Sequence, residues 1–482
     1  MYNWLYARQR KGTFILRIED TDLARSEQRF EDQLIEDLLW LGLDWDEGIQ
    51  RGGEFGPYRQ TERFPLYRQY AERLLKEGQA YHCFCTATDL EREREEQLKQ
   101  GLQPHYSGRC RRLSLDEVER RLAAGEEATV RLKVRSGKVK FKDLIFGSLE
   151  VDTSTIGDFI LLRSDGSAQY NLACVVDDAL MKITHVIRGE GHIPNTYRQV
   201  LLFESLKLPV PQFAHLSTIV GPDGAKLSKR HGATSIDELK RQGYLPEAIV
   251  NYLALLGWTP PEEGEEILTR QQLIDQFDLS RVHRSPATFD VEKFNWVNRN
   301  HLRQIDPERL ASLMASYYQE MKLIPESASP EILDWLSRVG ITFMKYVNRL
   351  DEFVAASQIL FDFDETQDLK DPEIEGLTET EEAKKVISLF SRKLEKFEGE
   401  LDETRYRELL LAIREESGVK GKVLYQSIRV ATTGRLSGPE LEQLIPLIEQ
   451  GSRLPLPKPI VPVRERVRRV SESLLKSSRS AP

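Results

Sequence analysis

The chain has 482 residues, 40% of them apolar and 30% charged, with a formal net charge of −9. That length exceeds one ordinary core and implies two to four domains of roughly 100–200 residues each. The acidic balance argues against a wholly basic nucleic-acid coat, and no run approaches the roughly 18 apolar residues of a membrane-spanning helix.

The first residues, Met1-Tyr-Asn-Trp-Leu5, lead into Arg8, Arg10 and Lys11 rather than into an apolar signal segment, so a cytoplasmic protein is expected. They read as the end of a helix, followed by a break at Lys11-Gly12 and a short strand over Thr13–Ile18. That strand runs into Arg17-Ile-Glu-Asp-Thr-Asp22, three carboxylates within four residues. Crowded acids repel unless a cation sits among them. A helix N-cap accounts for one of the acids and not for all three. Apolar spacing then predicts helices over 26–43 and 63–76.

Between about 80 and 165 the character changes. Cys83 and Cys85 are followed by a highly charged helix over 90–99, then by Tyr106 and Cys110. Four cysteines in so long a chain make no disulfide framework, and three of them fall within 28 residues, which points to metal. Two thiols two residues apart on a tight turn offer half of a tetrahedral zinc site, and Cys110 is the third ligand. Tyr106, His82 and His105 are all available as the fourth. Alternating runs over 128–135 and 158–163, with turns at 136–137 and 164–167, predict strands of an inserted subdomain.

Helix and strand alternation resumes with Tyr170-Asn-Leu-Ala-Cys-Val-Val-Asp-Asp178 and the strand-like 184–187. Arg188 ends that strand, and a guanidinium is what an acidic ligand needs, because its planar fork makes two charge-assisted bonds to a carboxylate. Tyr170 can close such a pocket, Cys174 lines it or belongs to the core, and a lone His192 is more often structural. A strand over 216–220 feeds the loop Gly221-Pro-Asp-Gly224 and then Lys226-Leu-Ser-Lys-Arg230. Two ammonium groups and the Ser228 hydroxyl on a glycine-flanked loop suit a polyphosphate whose departure must be stabilised. An isolated K-x-x-K-R is a basic surface loop, but the preceding strand and Gly221, Gly224 and Gly232 argue otherwise. Beyond about 235 helical periodicity dominates, broken at 257–261, 307, 325–330 and 362–375, and the last residues are expected to be disordered.

These motifs together, with His231-Gly-Ala after the basic loop, resemble bacterial-type glutamyl-tRNA synthetases of class I, over residues 1 to about 470. The resemblance implies a Rossmann-like α/β catalytic domain over 1–79 and 166–235, with an inserted α+β acceptor-binding subdomain over 80–165. It implies a helical stem-contact domain over 236–305, an all-α anticodon-binding domain over 306–470 and a disordered tail over 471–482. The segments Phe289–Trp296, Gly421–Ala431 and Thr433–Glu440 match the family's joining segment and anticodon cage. The implied reaction is ATP-dependent ligation of L-glutamate to the 3′ end of tRNA(Glu) through glutamyl-adenylate, in a monomer, with Mg²⁺ accompanying ATP. By the same resemblance Glu19, Tyr170, Arg188 and Cys174 hold the amino acid, and Lys226, Ser228 and Lys229 contact ATP. Lys229 stabilises the transition state with Lys226 and Arg230 in support. Asp177 and Asp178 lie near the acceptor end of the RNA, and Cys83, Cys85, Tyr106 and Cys110 hold a structural Zn²⁺, as in some glutamyl-type enzymes. The helical C-terminal third separates the chain from the glutaminyl enzymes, whose anticodon domain is a β-barrel. Gly191 stands where family members usually carry an acid, and Pro194 and Tyr197 are also unusual. The family's first strand and its His-Ile-Gly-His-type signature have no counterpart here, so half an ATP site and weak catalysis are expected of the chain as it stands. A non-catalytic tRNA-binding or regulatory descendant is the rival expectation.

Overall fold

The computed structural model describes residues 1–21, 27–101, 104–228 and 235–479, apart from the side chains of 477–479. The chain divides into two units, the first comprising 1–234 and 249–290, the second 235–248 and 291–482.

In the first unit, helix α1 (Tyr2–Gln9) precedes β1 (Ile15–Leu16), helix α2 (Gln28–Trp40) and β2 (Glu47–Gly48). β1 and β2 pair in parallel, Leu16 opposite Gly48. Gly48 has φ +136°, and a Cβ there would sit 2.2 Å from the Leu16 carbonyl oxygen, so only glycine lets the two backbones approach. Helix α3 (Phe64–Lys76) has Pro65 in its first turn and buries Tyr67, Ala71 and Leu74, the i, i+4, i+7 stripe of an amphipathic helix. After β3 (Ala80–Cys83) comes helix α4 (Ala87–Lys99), which buries nothing and is set by a capping box between Thr86 and Asp89. Helix α5 (Leu115–Ala123) leads to β4 (Thr129–Leu132), β5 (Lys138–Asp143), β6 (Gly147–Asp152) and β7 (Ile160–Leu162). Helix α6 (Tyr170–Leu180), β8 (His185–Gly189), helix α7 (Ile193–Ser205), β9 (Gln212–Leu216) and β10 (Ile219–Val220) follow.

Two sheets organise these elements. One has the order β3-β4-β7 and is antiparallel, and the other has the order β6-β5-β9-β8, in which β9 runs parallel to both β5 and β8. The expected subdomain over 80–165 is therefore not one body in sequence. Its hairpin β5–β6 joins β9 of the main sheet, because Val139 and Phe141 alternate inward and meet the same core as Phe213. That core includes Leu172, Ala173, Val175 and Val176 of α6 and Val200, Leu202 and Phe203 of α7. The β8–β9 register sets Arg188 opposite His215. β10 pairs in parallel with β11 (Ala287–Thr288), which ties 249–290 to the first unit and divides the segment expected as one stem-contact domain over 236–305.

The second unit is helical throughout its described residues, as expected. Asp306, Thr380 and Asp402 cap helix N-termini, and Gly418 and Gly434 close helices in the left-handed conformation. The disordered tail expected over 471–482 is corrected for 471–479, which continue the helix Val463–Arg479, while 480–482 lie outside the described residues. Val463, Val467 and Val470 are buried on it at helical spacing. Arg466, also fully buried, is satisfied by the carbonyls of Val461, Ile359, Thr432 and Leu360.

Candidate functional site

The acids after β1 have three separate fates. Glu19 is partly exposed and pairs with Arg17 at 2.9 Å. Asp20 is buried and accepts hydrogen bonds from the Thr61 amide (2.9 Å) and hydroxyl (2.6 Å). Asp22 lies outside the described residues. Arg17 is the cation among them, reaching Asp178 at 3.0 Å and Asp177 at 3.8 Å as well. Burial alone would lower the Arg17 pKa, but Asp178 and Glu19 outweigh it and raise it well above the ordinary value.

Asp177 is fully buried and accepts from Arg63 Nε (2.7 Å), Tyr67 Oη (2.8 Å) and Gln60 Nε2 (3.0 Å). It has no surface to offer RNA, which corrects the expected place near the acceptor end. One turn earlier on the same helix, Cys174 points its thiol at Glu19 (3.5 Å). Burial pushes the Cys174 pKa far up, so the group is a neutral thiol.

Tyr170 begins α6, and Arg188 sits near the end of β8. The Arg188 guanidinium donates to Tyr170 Oη (3.3 Å), Thr196 Oγ1 (2.8 Å) and Gln199 Oε1 (2.6 Å). Arginine has five N–H groups, so two remain, and Nε is buried with no partner among the described residues. His192 places Nδ1 3.4 Å from Tyr170 Oη. Glu19, Tyr170, Cys174, Arg188 and His192 all line one cavity of about 1260 Å³, floored by Thr13–Arg17 and 183–188. An acid and a guanidinium on one cavity match the ammonium and carboxylate of an amino acid.

The described part of the basic loop is not among the residues lining that cavity. Lys226 forms a bridge to Val220, and Gly221 donates to the Ala225 carbonyl at 2.8 Å, with Gly224 at φ +73° making the turn. Lys226 and Ser228 are exposed and are not among the cavity's lining residues, while Lys229 and Arg230 lie outside the described residues.

Cys83, Cys85 and Cys110 hold their sulfurs within 4.8 Å of one another. The Cys85 and Cys110 sulfurs are 3.6 Å apart, close to the edge of about 3.8 Å that a tetrahedron with zinc–sulfur bonds of about 2.3 Å requires. The Tyr106 hydroxyl lies 3.4 Å from Cys83 and 3.5 Å from Cys85, and accepts from the Cys110 amide at 2.9 Å. Among the described residues no histidine joins the cluster, so Tyr106 is the fourth donor at hand and His82 and His105 are not. Burial pushes the Cys85 thiol up to about 11, and a cation among the sulfurs would reverse that. The donor set therefore fits a soft divalent ion.

Sequence reasoning missed Arg17 as the internal cation and missed the partners of Arg188. A histidine inside the apolar run Phe213-Ala-His215 was the available signal, since a polar residue in a buried strand needs a partner.

Comparison with known proteins covers nearly the whole chain. Residues 1–296 match the family described as tRNA synthetases class I (E and Q), catalytic domain, and residues 309–452 match the anticodon binding domain. The glutamate-tRNA ligase of Carboxydothermus hydrogenoformans is 44% identical over 449 residues, 93% of this chain and 92% of that protein. That of Bacillus subtilis is 40% identical over 452 residues, 93% and 92% of the two chains. The crystal structure of a glutamate tRNA ligase from Elizabethkingia meningosepticum, in complex with its amino acid, superposes with TM-score 0.83 at 29% identity, covering 98% of this chain and 95% of that one.

Proposed function

The chain belongs to the class I tRNA synthetases of the E and Q type, and on that premise we propose that its glutamate-tRNA ligase reaction passes through glutamyl-adenylate formed in the cavity between β1 and β8. One observation carries the reading: Glu19 and Arg188 open into the same cavity, a carboxylate for the substrate ammonium and a guanidinium for a carboxylate. Tyr170 and Cys174 complete the wall. A carboxylate oxygen of glutamate attacks the α-phosphorus of ATP, the bond to the bridging oxygen breaks, and pyrophosphate departs. A ribose hydroxyl at the RNA's 3′ end then attacks the activated carbonyl and AMP leaves. Both steps need positioning and charge stabilisation rather than a covalent enzyme intermediate.

In this reading Lys229 stabilises charge on the phosphates, Lys226 and Arg230 support the loop, Ser228 contacts ATP, and Mg²⁺ travels with the nucleotide. The helical unit takes the anticodon end of tRNA(Glu), the segment 80–165 the acceptor end, and the enzyme works as a cytoplasmic monomer. No described helix is long and apolar enough to cross a membrane. The family match over residues 1–296 includes the catalytic part, which favours the enzyme over a non-catalytic descendant. Lys229→Ala is expected to raise the barrier to adenylate formation by about 2 kcal/mol or more, the scale for losing one charge-stabilising group. Pyrophosphate exchange in the presence of glutamate, ATP and tRNA reads this, and an unchanged rate removes the loop from the mechanism.

A structural zinc on Cys83, Cys85, Cys110 and Tyr106 belongs to the same proposal. It would hold β3 to the segment 106–113 and leave the chemistry to the cavity. Elemental analysis of the purified protein should find one zinc per chain, and Cys85→Ser should remove most of it. Metal content that does not change with Cys85→Ser overturns the assignment.

A further inference from the structure

Arg188 does not stand free at the cavity wall, and the groups behind it form a chain that ends at a fully buried carboxylate. Asp143 Oδ1 accepts from the amides of Ile145 (2.9 Å) and Phe146 (2.8 Å), and Oδ2 accepts from the His215 amide (3.0 Å) and ring Nδ1 (2.7 Å). Both side chains are inaccessible to solvent. His215 Nε2 lies 2.9 Å from Thr196 Oγ1, which in turn accepts from Arg188 at 2.8 Å. Three elements thus meet: β5 supplies the acid, β9 the imidazole and α7 the hydroxyl.

We propose that Asp143, His215 and Thr196 are positioning residues that lock the rotation of the Arg188 guanidinium, and so set how sharply the cavity distinguishes a carboxylate from an amide. The proposal rests on the reading of Arg188 as a substrate-holding residue.

The direction of the chain follows from donor and acceptor capacity. Asp143 has no proton to give: burial opposes its ionisation, yet the bonds from His215 and from the backbone amides hold its pKa below the usual carboxylate range. All four of its lone-pair positions are taken, so His215 Nδ1 must donate. With a neutral ring, Nε2 is then an acceptor, and the Thr196 hydroxyl proton turns toward it. The Thr196 oxygen is left with its lone pairs facing Arg188. Should the ring carry a second proton, the hydroxyl proton can turn to the His192 carbonyl at 3.1 Å, and a lone pair still faces Arg188. In both charge states the guanidinium meets an acceptor at a fixed point. Gln199 Oε1 provides a second such point at 2.6 Å, with its amide nitrogen tied to Asn171 at 3.3 Å.

A guanidinium pinned at two acceptors cannot swing. The N–H left on Nη1 then points in a fixed direction, where a carboxylate oxygen with its charge is a stronger acceptor than an amide oxygen, and an amide NH₂ placed there meets only a donor. A loosened guanidinium can turn until that N–H meets the amide oxygen and avoids the NH₂, and discrimination weakens.

The test is Thr196→Val, which keeps the branched shape and removes the acceptor, alongside Thr196→Ser, which restores it. Thermal unfolding confirms that each variant is folded. Glutamate-dependent pyrophosphate exchange should show KM for glutamate raised about tenfold by Thr196→Val, the scale of one hydrogen bond to a charged group, with KM for ATP unchanged and kcat within about threefold of the parent. Inhibition by glutamine should become relatively stronger, and Thr196→Ser should return all values toward the parent. If Arg188→Ala raises the glutamate KM but folded Thr196→Val leaves it and the glutamine ratio unchanged, the relay is overturned and the pocket reading stands. If Arg188→Ala leaves the glutamate KM unchanged, the pocket reading itself fails and the relay falls with it.

Discussion

Replacing Arg188 with alanine is expected to raise KM for glutamate a hundredfold or more, a loss of about 3 kcal/mol in kcat/KM. The magnitude follows from what the substitution leaves behind. A substrate carboxylate would enter a partly buried cavity without its cationic partner, and Thr196 and Gln199 would lose the donor that now fills them. Binding of ATP should be little altered, since Arg188 is assigned to the amino acid and the lysines of the basic loop to the nucleotide. Arg188→Lys keeps the charge but presents a point rather than a fork, so it should recover only part of the loss. Steady-state kinetics with glutamate varied at saturating ATP and tRNA measures this. A glutamate KM within twofold of the parent in Arg188→Ala would falsify the placement of substrate in this cavity.

The second large effect falls on stability rather than turnover. Arg63→Met should destabilise the first unit by about 3 kcal/mol, the lower end of the range for stripping a buried charge of its partner. Arg63 and Asp177 are both buried, and the guanidinium also donates to the carbonyls of Phe55 (3.1 Å) and Pro57 (3.0 Å), fastening that turn to α6. Gln60, Tyr67 and the more distant Arg17 still face the carboxylate, which is why the lower end applies. For a unit of this size the loss corresponds to a fall in Tm of roughly 6–12 °C. Arg63→Met with Asp177→Leu should recover much of it, because an apolar pair removes the orphaned charge. Differential scanning fluorimetry of the three proteins decides the matter. The idea does not survive if the double variant melts no higher than Arg63→Met.

Asp177 also shows how sequence can mislead. Two adjacent acids in a family-like motif suggest a place near the acceptor end of the RNA. In the folded chain Asp178 faces Arg17 near the cavity, while Asp177, 100° further around the helix, is enclosed by Arg63, Gln60 and Tyr67. Neighbours in sequence on a helix look in different directions, and only the packing of α3 against α6 says which one is inside.

Much of the chemistry was nonetheless legible residue by residue. A strand end bearing Glu19, an arginine ending a second strand, and thiols at Cys83, Cys85 and Cys110 are local patterns, and each requires a particular residue type at a particular spacing. The helical character of the second unit was equally local, because a period of 3.6 residues repeats within a few turns.

Sequence by itself therefore determined the candidate groups, their order and the helical or mixed class of each half, since these depend on side-chain chemistry and short-range periodicity. Tertiary structure alone decided that β5 and β6 belong to the main sheet, that Arg188 lies opposite His215, and that Asp143 anchors both. Those pairings join residues up to 72 positions apart. Many strands could satisfy a given backbone edge, so the choice among them is made by which side chains share a core.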